Sequence, residues 1–309
     1  MAIFLDTCVL PRRGRVRTPI IDALLRVAAK RNIRVCLPLM TLEESVSARG
    51  RESREAFNEL LSAFNSAAKF FPLDPIYIPD AEEVETAWRQ ELESEFEIVE
   101  LHSEDAHESL LRESRRRKPA KEGRGSRDTA IWLTVVREHL RFDDVTYFVS
   151  SNTADFAAKN KKDLHEDLRA DLGTHADRFH YCTSLDELIS NLAERIDLPA
   201  IDPAVAACVA DSCSDAFQSQ ASRDLPMGLV FDVEIQQDPK RWRTLRAYKI
   251  DSALIALFET EAKLIDLAPE TEEPIEEIDY SLRIWVEIDE STGEVNATEL
   301  DAVDRKSSG

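Results

Sequence analysis

Through roughly its first 195 residues the chain alternates short apolar runs with longer segments whose apolar residues recur every three or four positions. Ile3 to Leu5, then Ile33, Val35 and Leu37, then Val145 to Val149, then Phe179 to Cys182 read as strands. Between them, helical stripes run through Ile20, Leu24, Leu25, Val27 and Ala28, and through Phe57, Leu60, Leu61 and Phe64. Others follow over residues 80–95 and 103–117, through Ile131, Trp132, Val135, Val136 and Leu140, and through Leu185, Leu188, Ile189 and Leu192. Strands that alternate with helices need crossover connections, and crossovers build a mostly parallel sheet with helices on both faces. The expected class is α/β.

Beyond Pro199 and Pro203 the pattern changes. Residues 229–235, 244–250 and 253–259 read as strands, and 281–288 and 294–300 flank the turn signal Ser291-Thr292-Gly293. The expected division is an α/β domain at 1–198, a small acidic β-rich domain at 199–303 and a disordered tail at 304–309. The formal charge of −21 is uneven. Residues 201–309 hold 10 Lys+Arg against 24 Asp+Glu, whereas residues 1–200 hold 29 against 36. Inside the first part, residues 112–127 carry eight basic side chains against Glu113 and Glu122, a patch able to draw phosphate because fields decay over about 8–10 Å in physiological salt. No apolar run approaches the roughly 18 residues a membrane helix needs. Asp6 comes too early for a signal peptide, so a cytoplasmic location is expected. The five cysteines are odd in number and lack CxxC spacing, which argues for buried thiols rather than disulfides or a zinc ribbon.

Four acids fall at equivalent places in this scheme. Asp6 ends the first strand, Glu44 lies on the helix after the second, Asp128 opens the helix after the basic loop, and Asp155 follows the strand ending at Ser150. Ligands of open α/β sheets collect at the carboxyl ends of the strands, so all four would meet at one rim. Converging carboxylates suit hard ions such as Mg²⁺ or Mn²⁺, one or two of them, and such ions serve phosphodiester hydrolysis. Taken singly, each acid is as readily a helix cap or a solvated surface residue. Gly123 to Trp132 joins the two themes, because a glycine-broken basic loop runs directly into the helix that carries Asp128.

Leu5-Asp6-Thr7-Cys8-Val9-Leu10 resembles the opening motif of PIN-domain nucleases, with Cys8 where that pattern has Asn. Thr41-Leu42-Glu43-Glu44 resembles their second acidic motif, and Phe148 to Phe156 their fourth. Lys118 to Trp132 is similar to a PIN-like branch that carries Gly-x-Gly-x-Lys-Asp-Ala-x-Ile-Trp at the third acid. The resemblance spans about residues 1–195. It implies a PIN-like parallel sheet and a divalent-metal-dependent endoribonuclease, with a toxin-like or defence-like role, whose catalytic and metal residues are Asp6, Glu44, Asp128 and Asp155. Asn152, Ser150, Arg127, Arg124 and Lys121 would meet substrate, as would Arg115 to Lys118. Glu43 competes with Glu44, and Asn152 with Asp155. The expected partners are RNA and, through the acidic domain, a second copy or a protein regulator. The alternative is a non-catalytic scaffold of the same fold that binds nucleic acid or protein. A haloacid-dehalogenase phosphatase also opens with a strand-terminal Asp, but it needs a second Asp where Cys8 stands.

Overall fold

The computed structural model describes all residues except 13, 72, 75–76, 122–123, 199, 222–229, 268–273 and 307–309. Two units emerge. The first comprises Met1–Val16 and Ala28–Leu188, and the second Arg17–Val27 and Ile189–Gly309.

The first unit is built on five parallel strands. β1 (Ala2–Leu5) leads to a 3-10 turn at Thr7–Val9. Helix α1 (Pro19–Arg31), whose residues up to Val27 group with the second unit, β2 (Arg34–Pro38) and the long helix α2 (Leu39–Ala67) follow. Then come α3 (Ala81–Glu95), β3 (Glu97–Val99), α4 (Ser103–Ser114) and α5 (Ser126–Phe142). The unit closes with β4 (Thr146–Val149), α6 (Thr153–Phe156), α7 (Glu166–Leu172), β5 (Phe179–Cys182) and α8 (Leu185–Leu192). The spatial order is β3-β2-β1-β4-β5, with every pair parallel. Ile3, Phe4 and Leu5 are fully buried, as a central parallel strand covered on both faces requires. The chain winds outward from β1 to β3, then restarts on the other side at β4. The reversal lies between β1 and β4, and a crevice opens there past the carboxyl ends of the strands.

Trp132 anchors this core from α5. It is fully buried and packs edge-on against Phe148 and Phe179. The stripe at Phe57, Leu60, Leu61 and Phe64 behaves differently. It lies on the second half of α2, and Leu60 and Leu61 are exposed instead of facing a core. Helix α2 begins at Leu39, directly after Pro38.

The second unit is an antiparallel sheet of order β11-β10-β9-β8-β6, with β7 also paired to β9. Its strands are β6 (Glu194–Arg195), β7 (Val230–Ile235), β8 (Arg243–Ile250), β9 (Ala253–Leu267), β10 (Pro274–Asp289) and β11 (Val295–Arg305). A helix the sequence reading passed over, α9 (Pro203–Ala221), completes it. Pro203 suits the first helical position, and the Asp202 side chain accepts from Ala204 N at 2.8 Å. Val205, Val209, Cys213, Phe217 and Ala221 form its buried stripe, one core with Phe258, Leu282 and Val286.

The expected disordered tail is also corrected. Asp304 and Arg305 pair with Ser281 and Tyr280, and Lys306 N donates to Asp279 O at 2.9 Å. Residues 307–309 lie outside the described residues. Of the five free cysteines, Cys36, Cys182 and Cys213 are buried, whereas Cys8 and Cys208 are exposed, so burial does not account for those two. Among the described residues no helix is long and apolar enough to cross a membrane.

Candidate active site at the carboxyl rim of the parallel sheet

Asp6 sits where β1 ends. Its backbone N–H still bonds to Val149 O of β4 at 3.0 Å, so the last sheet bond fixes where its side chain starts. The carboxylate is only 3% exposed. Oδ1 accepts from Thr7 N at 2.8 Å, and Oδ2 accepts from Ser150 Oγ at 2.5 Å and Cys8 Sγ at 3.2 Å. Burial pushes the Asp6 carboxyl above its ordinary value, and these three donors counter it only in part. Ser150 is wholly buried, and its Oγ also accepts from Asn152 N at 3.1 Å. The hydroxyl therefore ties the ends of β1 and β4 together.

Glu44 reaches the same rim from the first turns of α2. Its Oε2 accepts from Thr7 Oγ1 at 2.9 Å, and Arg127 Nη1 stands 3.1 Å from Oε1. Glu43 points elsewhere, receiving Arg89 Nη2 at 2.6 Å. Asp128 lies on the first turn of α5. There the N-terminal backbone partial charge favours a carboxylate. Asn152 Nδ2 donates to Asp128 Oδ1 at 3.2 Å and to Asp155 Oδ2 at 3.0 Å, so one amide bridges two acids. Burial and then the charges of Asp6, Asp155 and Glu44 raise the Asp128 carboxyl to about 6. That dependence records the convergence: Asp128 senses the other three acids.

Two cations meet these acids. Lys121 Nζ is 2.9 Å from Asp155 Oδ1, although that buried oxygen has no aligned hydrogen-bond donor. Arg127 pairs with Glu44 as above. Among the described residues no three His, Cys, Asp or Glu side chains are arranged to hold a metal ion as they stand. The donor set is nonetheless the one a hard divalent ion takes: carboxylate oxygens, one of them buried and short of a donor.

The basic stretch is more committed than its composition implies. Arg112 is buried and bonds Asp171 through both terminal nitrogens, at 2.6 and 3.0 Å. Arg117 bonds the same carboxylate at 2.9 Å, and Trp132 Nε1 does so at 2.9 Å. Lys118 Nζ donates to Ala154 O at 2.8 Å. So Arg117 and Lys118, expected to meet phosphate, hold structure, while Arg115 and Arg116 are exposed. Arg124 is exposed, and its backbone forms a two-way bridge with Lys121 at 2.9 Å. Gly123 and Glu122 lie outside the described residues. Gly125 is fixed by geometry. Its φ is +107°, and a Cβ there would stand 2.9 Å from Ala120 Cα.

Sequence reasoning missed three contributors. Thr7 orients Glu44, Asp171 gathers Arg112, Arg117 and Trp132, and Glu113 Oε2 accepts from Ser126 N at 2.7 Å at the start of α5. Glu113 was not legible, since it lies in the last turn of α4, 13 residues before Ser126. Asp171 was not either, since its partners are 39 to 59 residues away in sequence.

A cleft of about 300 Å³ opens over the acids, with Asp6, Glu44, Asp128 and Asn152 among its lining. Residues 3–156 match a family described as PIN domain. No curated protein and no solved structure matches the chain.

Proposed function

The chain carries a PIN domain, residues 3–156, and so belongs to that family; from this premise we propose that it is a divalent-metal-dependent nuclease acting as an endoribonuclease. PIN domains have a nuclease-type fold. The observation that carries the finer reading is the meeting of Asp6, Glu44, Asp128 and Asp155 at one rim. Burial first, and then the charges of the other three, raise the Asp128 carboxyl to about 6. Those four would hold Mg²⁺ or Mn²⁺. A bound ion of this kind lowers the pKa of water and neutralises charge at the leaving oxygen.

The chain's own residues prepare the rest. Ser150 and Thr7 hold Asp6 and Glu44 in fixed orientation. Asn152 keeps Asp128 and Asp155 facing one another. The cationic heads of Lys121 and Arg127 relieve the repulsion among the acids. They are the groups positioned to transfer to substrate phosphate once the acids bind a cation. Cys8 donates its thiol to Asp6, taking part in orienting that acid at the position where the family has Asn.

One observation favours the second reading, a scaffold that binds nucleic acid without cutting it: the two ion pairs already neutralise Asp155 and Glu44. A cleavage assay on single-stranded RNA and DNA separates the two. The expected result is turnover with Mn²⁺ or Mg²⁺, abolished by EDTA and lowered at least 100-fold by Asp6→Asn and by Asp128→Asn. RNA bound but uncut under all these conditions would overturn the nuclease and support the scaffold.

A further inference from the structure

We infer that the cleft over the acids continues into a phosphate-binding subsite formed by Arg12 and Arg51, which holds a backbone phosphate of a single nucleic-acid strand beyond the one at the carboxylates. The inference rests on the nucleic-acid reading above and names the substrate track that reading leaves open.

The same cleft that Asp6, Glu44 and Asp128 line is also lined by Arg12, Arg49 and Arg51. Its volume, about 300 Å³, is at the low end for ligand clefts. Along α2, Glu44 and Arg51 are seven residues apart. Two helical turns place them on one face, with Arg51 about 10.5 Å further along the axis. An anion track therefore leads away from the acids along α2.

Arg12 is held in place by a built loop. Arg49 Nη1 and Nη2 donate to Arg12 O and Gly14 O, each at 2.8 Å, and the Arg49 guanidinium lies 4.5 Å over the Trp88 ring. Trp88 is buried and donates from Nε1 to Ser45 Oγ at 3.0 Å. At the loop's far end Val16 N donates to Glu91 Oε1 at 2.8 Å. Arg49 is thus the brace, and Arg12 and Arg51 are the exposed heads. Among the described residues neither head has a carboxylate within ion-pair distance; Glu52, also on the wall, is itself engaged. Five of the eight basic side chains in residues 112–127 are instead engaged. There Arg112 and Arg117 are spent on Asp171, Lys118 on a carbonyl, Lys121 on Asp155 and Arg127 on Glu44.

The test is fluorescence anisotropy of the full chain with labelled single-stranded RNA and DNA dodecamers in EDTA, across a salt series. The R12A/R51A pair is expected to bind both strands at least tenfold more weakly, with the slope of log K against log salt reduced by about 1 to 2. R12K/R51K, which keeps the charge, is expected within threefold of the unsubstituted chain. R31A/K69A, two exposed basic residues away from the cleft, is expected within twofold. Binding unchanged in R12A/R51A overturns the subsite, and so does a tenfold loss in R31A/K69A. A loss in R12K/R51K equal to that of the alanine pair assigns the effect to the loop rather than to phosphate contact and overturns it as well. Because EDTA removes cleavage from the measurement, arginine-dependent binding without any turnover keeps the subsite and sinks only the nuclease. Turnover with arginine-independent binding does the reverse.

Discussion

Burial, and then the charges of Asp6, Asp155 and Glu44, raise the Asp128 carboxyl to about 6, and the Asn152 amide bonded to it counters this only in part. In an unfolded chain that carboxyl titrates near 3.8. Between those values the folded protein binds more protons than the unfolded one, so stability falls as pH rises from about 4 to about 6, and the full penalty is present at pH 7. Asp128→Asn removes it. In EDTA at pH 7 to 8 the variant is expected to melt a few degrees above the unsubstituted chain, with the gap closing below pH 4. Adding Mn²⁺ is expected to raise the Tm of the unsubstituted chain more than that of the variant. Thermal melts over pH, with and without the ion, check both. A variant melting lower at pH 8 would mean that the Asp128 charge is stabilising, contrary to its surroundings. The position of these acids was legible because each follows a strand end or opens a helix. The choice of Glu44 over Glu43 for the rim was not. Adjacent helix positions differ by about 100° in direction, and only the Arg89 partner of Glu43 reveals which one turns away.

At the scale of an element, α5 explains why the loop before it is written as it is. Gly125 caps the helix with φ +107° and approaches Ala120 so closely that any Cβ would collide with backbone. Gly125→Ala is expected to cost about 1–2 kcal/mol from the left-handed conformation alone, and more from the contact. Because Asp128 follows three residues later, cleavage should fall along with stability. Chemical denaturation and the nuclease assay, run on one preparation, test the coupling. Full stability retained in the alanine variant would show that the loop relaxes elsewhere. The same helix is locked from behind by Asp171, which takes Trp132 Nε1 and the buried Arg112. Asp171→Ala leaves both terminal nitrogens of that buried guanidinium without their carboxylate, with only Glu108 still on Nε, a defect worth up to about 3 kcal/mol, and a midpoint shift in urea measures it. Helix periodicity made α5 visible in the sequence, through Ile131, Trp132, Val135 and Val136. Periodicity did not distinguish it from the far half of α2, where the stripe leaves Leu60 and Leu61 exposed. A stripe specifies a face, and only tertiary structure says whether the face is covered. Conversely, α9 was missed although Val205, Val209, Cys213, Phe217 and Ala221 recur every fourth residue. Its alanines and cysteines are weak hydrophobic markers beside the strands that follow.

For the whole molecule, the two units do not divide where the prolines suggest. The sequence proposes a boundary at 198/199. By its contacts, however, Arg17–Val27 belongs with Ile189–Gly309, and α1 runs without a break from that segment into the first unit. Within the second unit Arg26 Nη2 bonds Glu287 Oε1 at 2.9 Å, and Thr18 bonds Glu299, whose buried carboxyl is raised to about 7 by desolvation. No local signal in the sequence could announce a contact between residue 26 and residue 287, because charge pairs that distant leave no periodic trace. A fragment ending at 198 therefore keeps all the acids of the rim yet strips the first turns of α1 of these partners, and α1 leads straight into β2 of the sheet. We expect the 1–198 fragment to melt at least 10 °C below the full chain, or to aggregate, even though residues 3–156 contain the whole PIN domain match. Circular dichroism melts of the two proteins side by side provide the measurement. A fragment melting within 2 °C of the full chain would show that α1 folds without the second unit and that 198/199 is a true folding boundary. The consequence reaches the functional tests. If the fragment unfolds, RNA affinity lost on truncation reports stability rather than charge. The electrostatic role of the acidic sheet must then be read from surface substitutions in the intact chain, such as Glu259 and Glu277, which pair only with neighbouring strands.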